Sequence, residues 1–93
     1  MGGRLNGKRA MILGVAPQNV GAAIARTYID HGAQVVIAGR RTEPLQHIAD
    51  EIGAEWVACD ITDEAGLNKA VEDAASKMGG LDIGVNSTGW GLL

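Results

Sequence analysis

The residues with chemistry to offer in this sequence sit just after short apolar runs. The loop Gly14-Val15-Ala16-Pro17-Gln18-Asn19-Val20-Gly21 follows the run Arg9–Leu13 and leads into an alanine-rich stretch. In that position, backbone N–H groups and a helix dipole converge on an anion. The loop therefore suits a phosphate, with Gly14, Gln18, Asn19 and Val20 as its expected contacts. Asn19 stands where a glycine would serve, and asparagine visits left-handed backbone more easily than most residues. Pro17 contributes no N–H donor. The second group, Gly39-Arg40-Arg41, follows the run Gln34–Ala38. A dinucleotide with a free ribose 2′-hydroxyl calls for Asp or Glu at such a place. Two guanidinium groups suit a 2′-phosphate instead, through bidentate, charge-assisted hydrogen bonds, so NADP(H) is expected over NAD(H). The competing reading of Arg40 and Arg41 is a solvated basic turn balanced by Glu43.

Other reactive side chains form no constellation. His31, His47 and the single Cys59 share no metal-ligand spacing, and one cysteine cannot form an internal disulfide. His31 reads as a helix-end residue, His47 as a surface residue and Cys59 as a buried strand thiol. The only tyrosine, Tyr28, lies in a helical stretch without a lysine four residues on, which fits packing rather than catalysis. Asp50-Glu51 and Asp63-Glu64 read as solvated or dipole-complementing carboxylates, so no catalytic residue is assigned. Eight basic and eleven acidic side chains give a net charge of -3, which disfavours nucleic acid and anionic lipid as partners. No apolar run reaches bilayer length, and the start has neither a signal-peptide core nor a full myristoylation motif, Asn6 standing where Ser or Thr is needed. A cytoplasmic, metal-free protein is expected.

The elements that position these groups follow from periodicity. Arg9–Leu13 is nearly all apolar and ends at Gly14, as expected of a strand covered on both faces. Val20–His31 reads as a helix closed by Gly32, with His31 suited to the negative end of the dipole. Gln34–Ala38 is the second strand. Thr42 is the expected N-cap of a helix whose stripe is Leu45, Ile48, Ala49 and Ile52, ended by Gly53. Glu55–Cys59 is the third strand, and Thr62 is the expected cap of a longer helix with the stripe Leu67, Ala70, Val71, Ala74, Ala75 and Met78. Gly79-Gly80 stops that helix, and Asp82–Asn86 reads as the fourth strand.

Strands alternating with helices imply βαβ units and a parallel sheet. With right-handed crossovers, residues 1–93 form one domain: the mononucleotide-binding half of a Rossmann-type doubly wound α/β sheet, in strand order 3-2-1-4. The topological switch then lies between strands one and four, above Gly14 and Asn86, where a ligand site is expected.

Leu5-Asn6-Gly7-Lys8 before the first strand, the glycine loop, Gly39-Arg40-Arg41, Asp60-Ile61 after the third strand, and Leu81–Asn86 running into Ser87-Thr88-Gly89 are found together. In this set, covering nearly all of the chain, the sequence resembles the N-terminal half of the short-chain dehydrogenase/reductase family. The resemblance implies an NADP(H)-dependent oxidoreductase that transfers a hydride between nicotinamide and a carbonyl, alcohol or enoyl group of a small-molecule substrate. It implies that Asp60 and Ile61 contact the adenine, with Asp60 accepting from its amino group. Asn86, Ser87, Thr88 and Gly89 would line the cofactor and brace the sheet, and the full family fold implies a homo-oligomer. Against the family's TGxxxGxG, this loop has Leu13 for the threonine, one extra residue, and Gln18-Asn19 at the middle glycine. Such longer loops are also similar to those of enoyl reductases in the same superfamily. The family's Asn-Asn-Ala-Gly stands here as Asn86-Ser87-Thr88-Gly89.

The family's catalytic serine and its Tyr-x-x-x-Lys would fall after residue 93. Together with the apolar ending Trp90-Gly91-Leu92-Leu93, this leads to the expectation of a segment of a larger protein. Two other readings remain open at this point: a dinucleotide-binding or redox-sensing module without catalysis, and an inactive truncated piece.

Overall fold

Parallel pairing of four short apolar runs organises the computed structural model, which describes residues 6–15, 20–60 and 62–86. The elements are β1 (Arg9–Leu13), α1 (Val20–Asp30), β2 (Gln34–Gly39), α2 (Thr42–Ile52), β3 (Glu55–Ala58), α3 (Glu64–Met78) and β4 (Ile83–Asn86). The sheet order is β3-β2-β1-β4, the Rossmann-type order expected. β1 takes both central pairings, with Leu13 opposite Ala38 on one side and Asn86 on the other. β2 carries β3, with Gly39 opposite Ala58.

Residues alternate across the sheet, so β1, β2 and β3 feed two cores, while Ile83 and Val85 of β4 join the first. Ala10, Ile12, Val35 and Ile37 face α1 and α2, meeting Ala25, Leu45, Ile48 and Ala49. Met11, Val36, Ala38 and Val57 face α3, meeting Ala70 and Ala74. Side chains as fully enclosed as Ile12, Ile37 and Leu45 contribute about 1.5–3 kcal/mol each by leaving water. The predicted stripes of α2 and α3 are the faces that pack, and Gln46, His47, Asp50 and Glu51 are exposed. Tyr28 packs half-buried against the first core.

Several boundaries differ from the sequence expectation. α1 ends at Asp30, not His31: the His31 N–H is shared between the Thr27 and Tyr28 carbonyls, and Ala33 N–H reaches back to Tyr28 O at 3.0 Å. Gly32, at φ 94°, makes that reversal. His31 is half-buried, and its Nδ1 has no partner among the described residues. Thr42 is the first residue of α2 rather than its cap; Arg41 holds the N-cap position in extended conformation. Likewise Asp63, not Thr62, is the N-cap of α3. β3 stops at Ala58, leaving the buried Cys59 just beyond, and β4 starts at Ile83, not Asp82. Gly53 (φ 81°) and Gly79 (φ 77°) do close α2 and α3 in left-handed conformation, donating to Ala49 O and Ala75 O.

At the N-terminal edge of the sheet, Asp82 locks β4 to β1. Its Oδ2 accepts from Arg9 N–H and Nε, each at 2.9 Å, and Oδ1 accepts from Nη2 at 3.2 Å. Arg9 Nη1 donates onward to Gly79 O at 2.8 Å, and Asp82 N–H returns to Arg9 O at 2.8 Å. Arg9 holds the Asp82 carboxyl below its ordinary range, first through the side-chain bond and then through the backbone N–H.

Candidate functional site

Because every pairing is parallel, all four strands deliver their C-terminal ends to one edge. In spatial order that edge carries Asp60 after β3, Arg40 after β2, Gly14 after β1, and Asn86 at the end of β4. At about 4.8 Å per strand the row spans roughly 14 Å.

The turn after β1 is built by two glycines. Gly14 has φ 81°, a conformation that side chains disfavour. The chain then crosses the end of β2, where Val15 N–H donates to Ala38 O at 2.9 Å. A Cβ at Gly39 would lie 2.5 Å from Val15 O, so only glycine lets the loop come this close. α1 opens at the same edge with exposed Val20 and buried Gly21. Its first turn has no acidic residue, whereas α2 and α3 carry Glu43 and Glu64 in theirs. Those carboxylates complement the dipoles of their own helices, and α1 has no such carboxylate in its first turn.

Arg40 and Arg41 are both exposed, and neither forms a salt bridge among the described residues, so the pairing with Glu43 is absent. Asp60 is exposed beside them. Its Oδ1 accepts from the Thr62 hydroxyl at 2.7 Å and from the Thr62 N–H at 3.0 Å. These two bonds, with a smaller contribution from the Arg40 charge, hold the Asp60 carboxyl below its ordinary value. Cys59 N–H donates to Gly39 O at 2.8 Å, and burial first, then Asp60 and Asp63, push its thiol up. A thiol so placed stays protonated and is a poor nucleophile.

The structure thus brings Gly14, Val20, Arg40, Arg41, Asp60 and Asn86 to one edge. Gln18, Asn19, Ile61, Ser87, Thr88 and Gly89 lie outside the described residues. Sequence reasoning missed two contributors. Gly39 was read only as the start of the Gly39-Arg40-Arg41 group, and its steric role appears only in its approach to Val15 O; Thr62 was read as a helix cap, although its spacing from Asp60 also suits a side-chain turn. Among the described residues no group of three His, Cys, Asp or Glu could hold a metal, and no helix is long and apolar enough to cross a membrane.

A family model described as Enoyl-(Acyl carrier protein) reductase matches residues 14–93. The chain is 42% identical over 86 residues to the mitochondrial borneol dehydrogenase of Lavandula x intermedia, covering 92% of this chain and 33% of that protein. It is 42% identical over 91 residues to short-chain dehydrogenase reductase 5 of Arabidopsis thaliana, covering 95% and 35%. The fold agrees: a short chain dehydrogenase from Mycobacterium smegmatis superposes with TM-score 0.91 at 29% identity, over 97% of this chain and 40% of that one. This chain belongs to the short-chain dehydrogenase/reductase family. It spans about a third of the length of the curated relatives it matches. Within the family's architecture, the sheet edge described above is the C-terminal edge at the topological switch point, where open α/β sheets bind ligands.

Proposed function

We propose that this chain forms the cofactor-binding part of an NADP(H)-dependent oxidoreductase acting on a carbonyl, alcohol or enoyl group of a small molecule. The observation that carries the reading is Arg40: exposed, without a salt bridge among the described residues, and directly after β2, one strand from the Gly14 turn. The residues fit the cofactor on structural grounds. Gly14 in left-handed conformation and the absent Cβ at Gly39 let backbone lie where a diphosphate needs close approach, and α1 offers a dipole end free of acidic residues. Arg40 and Arg41 would hold a 2′-phosphate, Asp60 would accept from the adenine amino group, Val20 would join Gly14 at the phosphates, and Asn86 would line the cofactor. Gln18, Asn19, Ile61 and Ser87–Gly89 complete the proposed set. When bound, the nicotinamide supplies or accepts the hydride.

The experiment is a fluorescence titration of the full-length protein with NADPH and NADH, repeated with Arg40→Asp. The wild type should prefer NADPH, and the variant should lose about tenfold to a hundredfold in NADPH affinity while NADH holds or gains. Equal affinities in the wild type, or an Arg40→Asp variant with both affinities unchanged, would refute the 2′-phosphate assignment.

A further inference from the structure

Thr62 has the sequence pattern of a helix cap, yet α3 starts from Asp63, whose own side chain forms no capping bond. The Thr62 hydroxyl and N–H converge instead on one oxygen, Asp60 Oδ1, at 2.7 and 3.0 Å. Asp63 N–H closes the same turn onto Asp60 O at 3.0 Å. Asp60 and Thr62 are both exposed, so packing does not hold the carboxylate in place. An exposed aspartate otherwise turns freely about its terminal torsion. Two donors on one oxygen fix the plane of the group, and they are the leading causes that keep it ionised, hence an acceptor only.

The position of that carboxylate gives its fixed orientation a use. β3 lies next to β2, so Asp60 stands one strand beyond Arg40, on the side away from the Gly14 turn. A dinucleotide with its phosphates over β1 and its ribose over the end of β2 carries its base toward β3. A base with an exocyclic amino group presents a donor there; one with a carbonyl at the same atom presents a second acceptor to a carboxylate. We propose that Thr62 is a positioning residue for base recognition, holding the Asp60 carboxylate where it selects an exocyclic amino group over a carbonyl. This role presupposes that a nicotinamide dinucleotide occupies the sheet edge.

The test compares Kd values of the full-length protein for NADPH and for its hypoxanthine analogue, in which a carbonyl replaces the adenine amino group. The wild type should prefer NADPH on the order of tenfold, the value of one hydrogen bond to a charged group. Thr62→Val, nearly isosteric but without the hydroxyl, should reduce that preference to roughly threefold or less, while Thr62→Ser retains it. A purely structural role would weaken both ligands together and leave the ratio intact, so an unchanged ratio in Thr62→Val overturns the proposal. A wild-type ratio near one overturns it as well, because Asp60 then does not read the base. A wild type that binds neither dinucleotide refutes the cofactor reading itself.

Discussion

Replacing Gly39 by alanine tests the steric argument for the turn after β1. The added Cβ would lie 2.5 Å from Val15 O and 3.4 Å from Leu45 Cδ1. The first distance is roughly 1 Å short of ordinary van der Waals separation. The leucine methyl can adjust, but Val15 O belongs to backbone held by Val15 N–H on Ala38 O at 2.9 Å. Relief therefore requires the loop to lift from β2 or the end of β2 to bend. Overpacking of this kind costs about 1–3 kcal/mol. Gly39 has no positive φ, so the whole cost is steric. Urea denaturation of wild type and Gly39→Ala, with matched m values, should show that loss. NADPH titration should show weaker binding at a concentration of denaturant that leaves both proteins folded. A variant with the same unfolding free energy and the same NADPH affinity would show that the loop does not depend on close approach at Gly39.

Gly53 offers the opposite case, since a Cβ there meets nothing within 4 Å but φ is 81°. Gly53→Ala should cost about 1 kcal/mol through backbone conformation alone, measured by the same denaturation, and leave cofactor affinity unchanged. Asp82→Asn should loosen β4 selectively, seen as faster hydrogen exchange at Ile83–Asn86 with β2 and β3 unaffected, because Asp82 is the anchor between β4 and Arg9. The same residue sets a pH dependence. The Asp82 carboxyl is lowered from 3.8 by Arg9, so its contribution is present above 3.8 and fades as pH falls through the lowered native value. The gap in stability between wild type and Asp82→Asn should accordingly be full at neutral pH and narrow on acidification below about pH 4; a gap that stays constant to pH 2 would refute the ion pair.

Much of this molecule was legible in local patterns. β1 lies where its apolar run predicts, and β2 runs only one residue longer. The i, i+3, i+4, i+7 stripe of α2 is the face that packs, and Gly53 and Gly79 close the helices they follow. The order β3-β2-β1-β4 follows from the βαβ repeat, since crossover handedness leaves few alternatives. These features depend on side-chain period and on the few residues tolerant of positive φ, both of which are written in neighbouring positions. What only the tertiary structure decided depends on distance across the sheet. β3 ends at Ala58 because its ladder runs out opposite Gly39, not because its apolar run stops. Arg9 and Asp82 are 73 residues apart, and no periodicity joins them until parallel pairing sets β4 beside β1. Gly39 reads as the first residue of a basic turn until Val15 O is laid against it. Thr62 could serve as helix cap or as donor to Asp60, and the turn that brings Asp60 within 2.7 Å of its hydroxyl chose the second. The sequence determines which elements form, because their periods are local; the contacts that make a site of them arise only when the folded sheet brings remote residues within hydrogen-bonding reach.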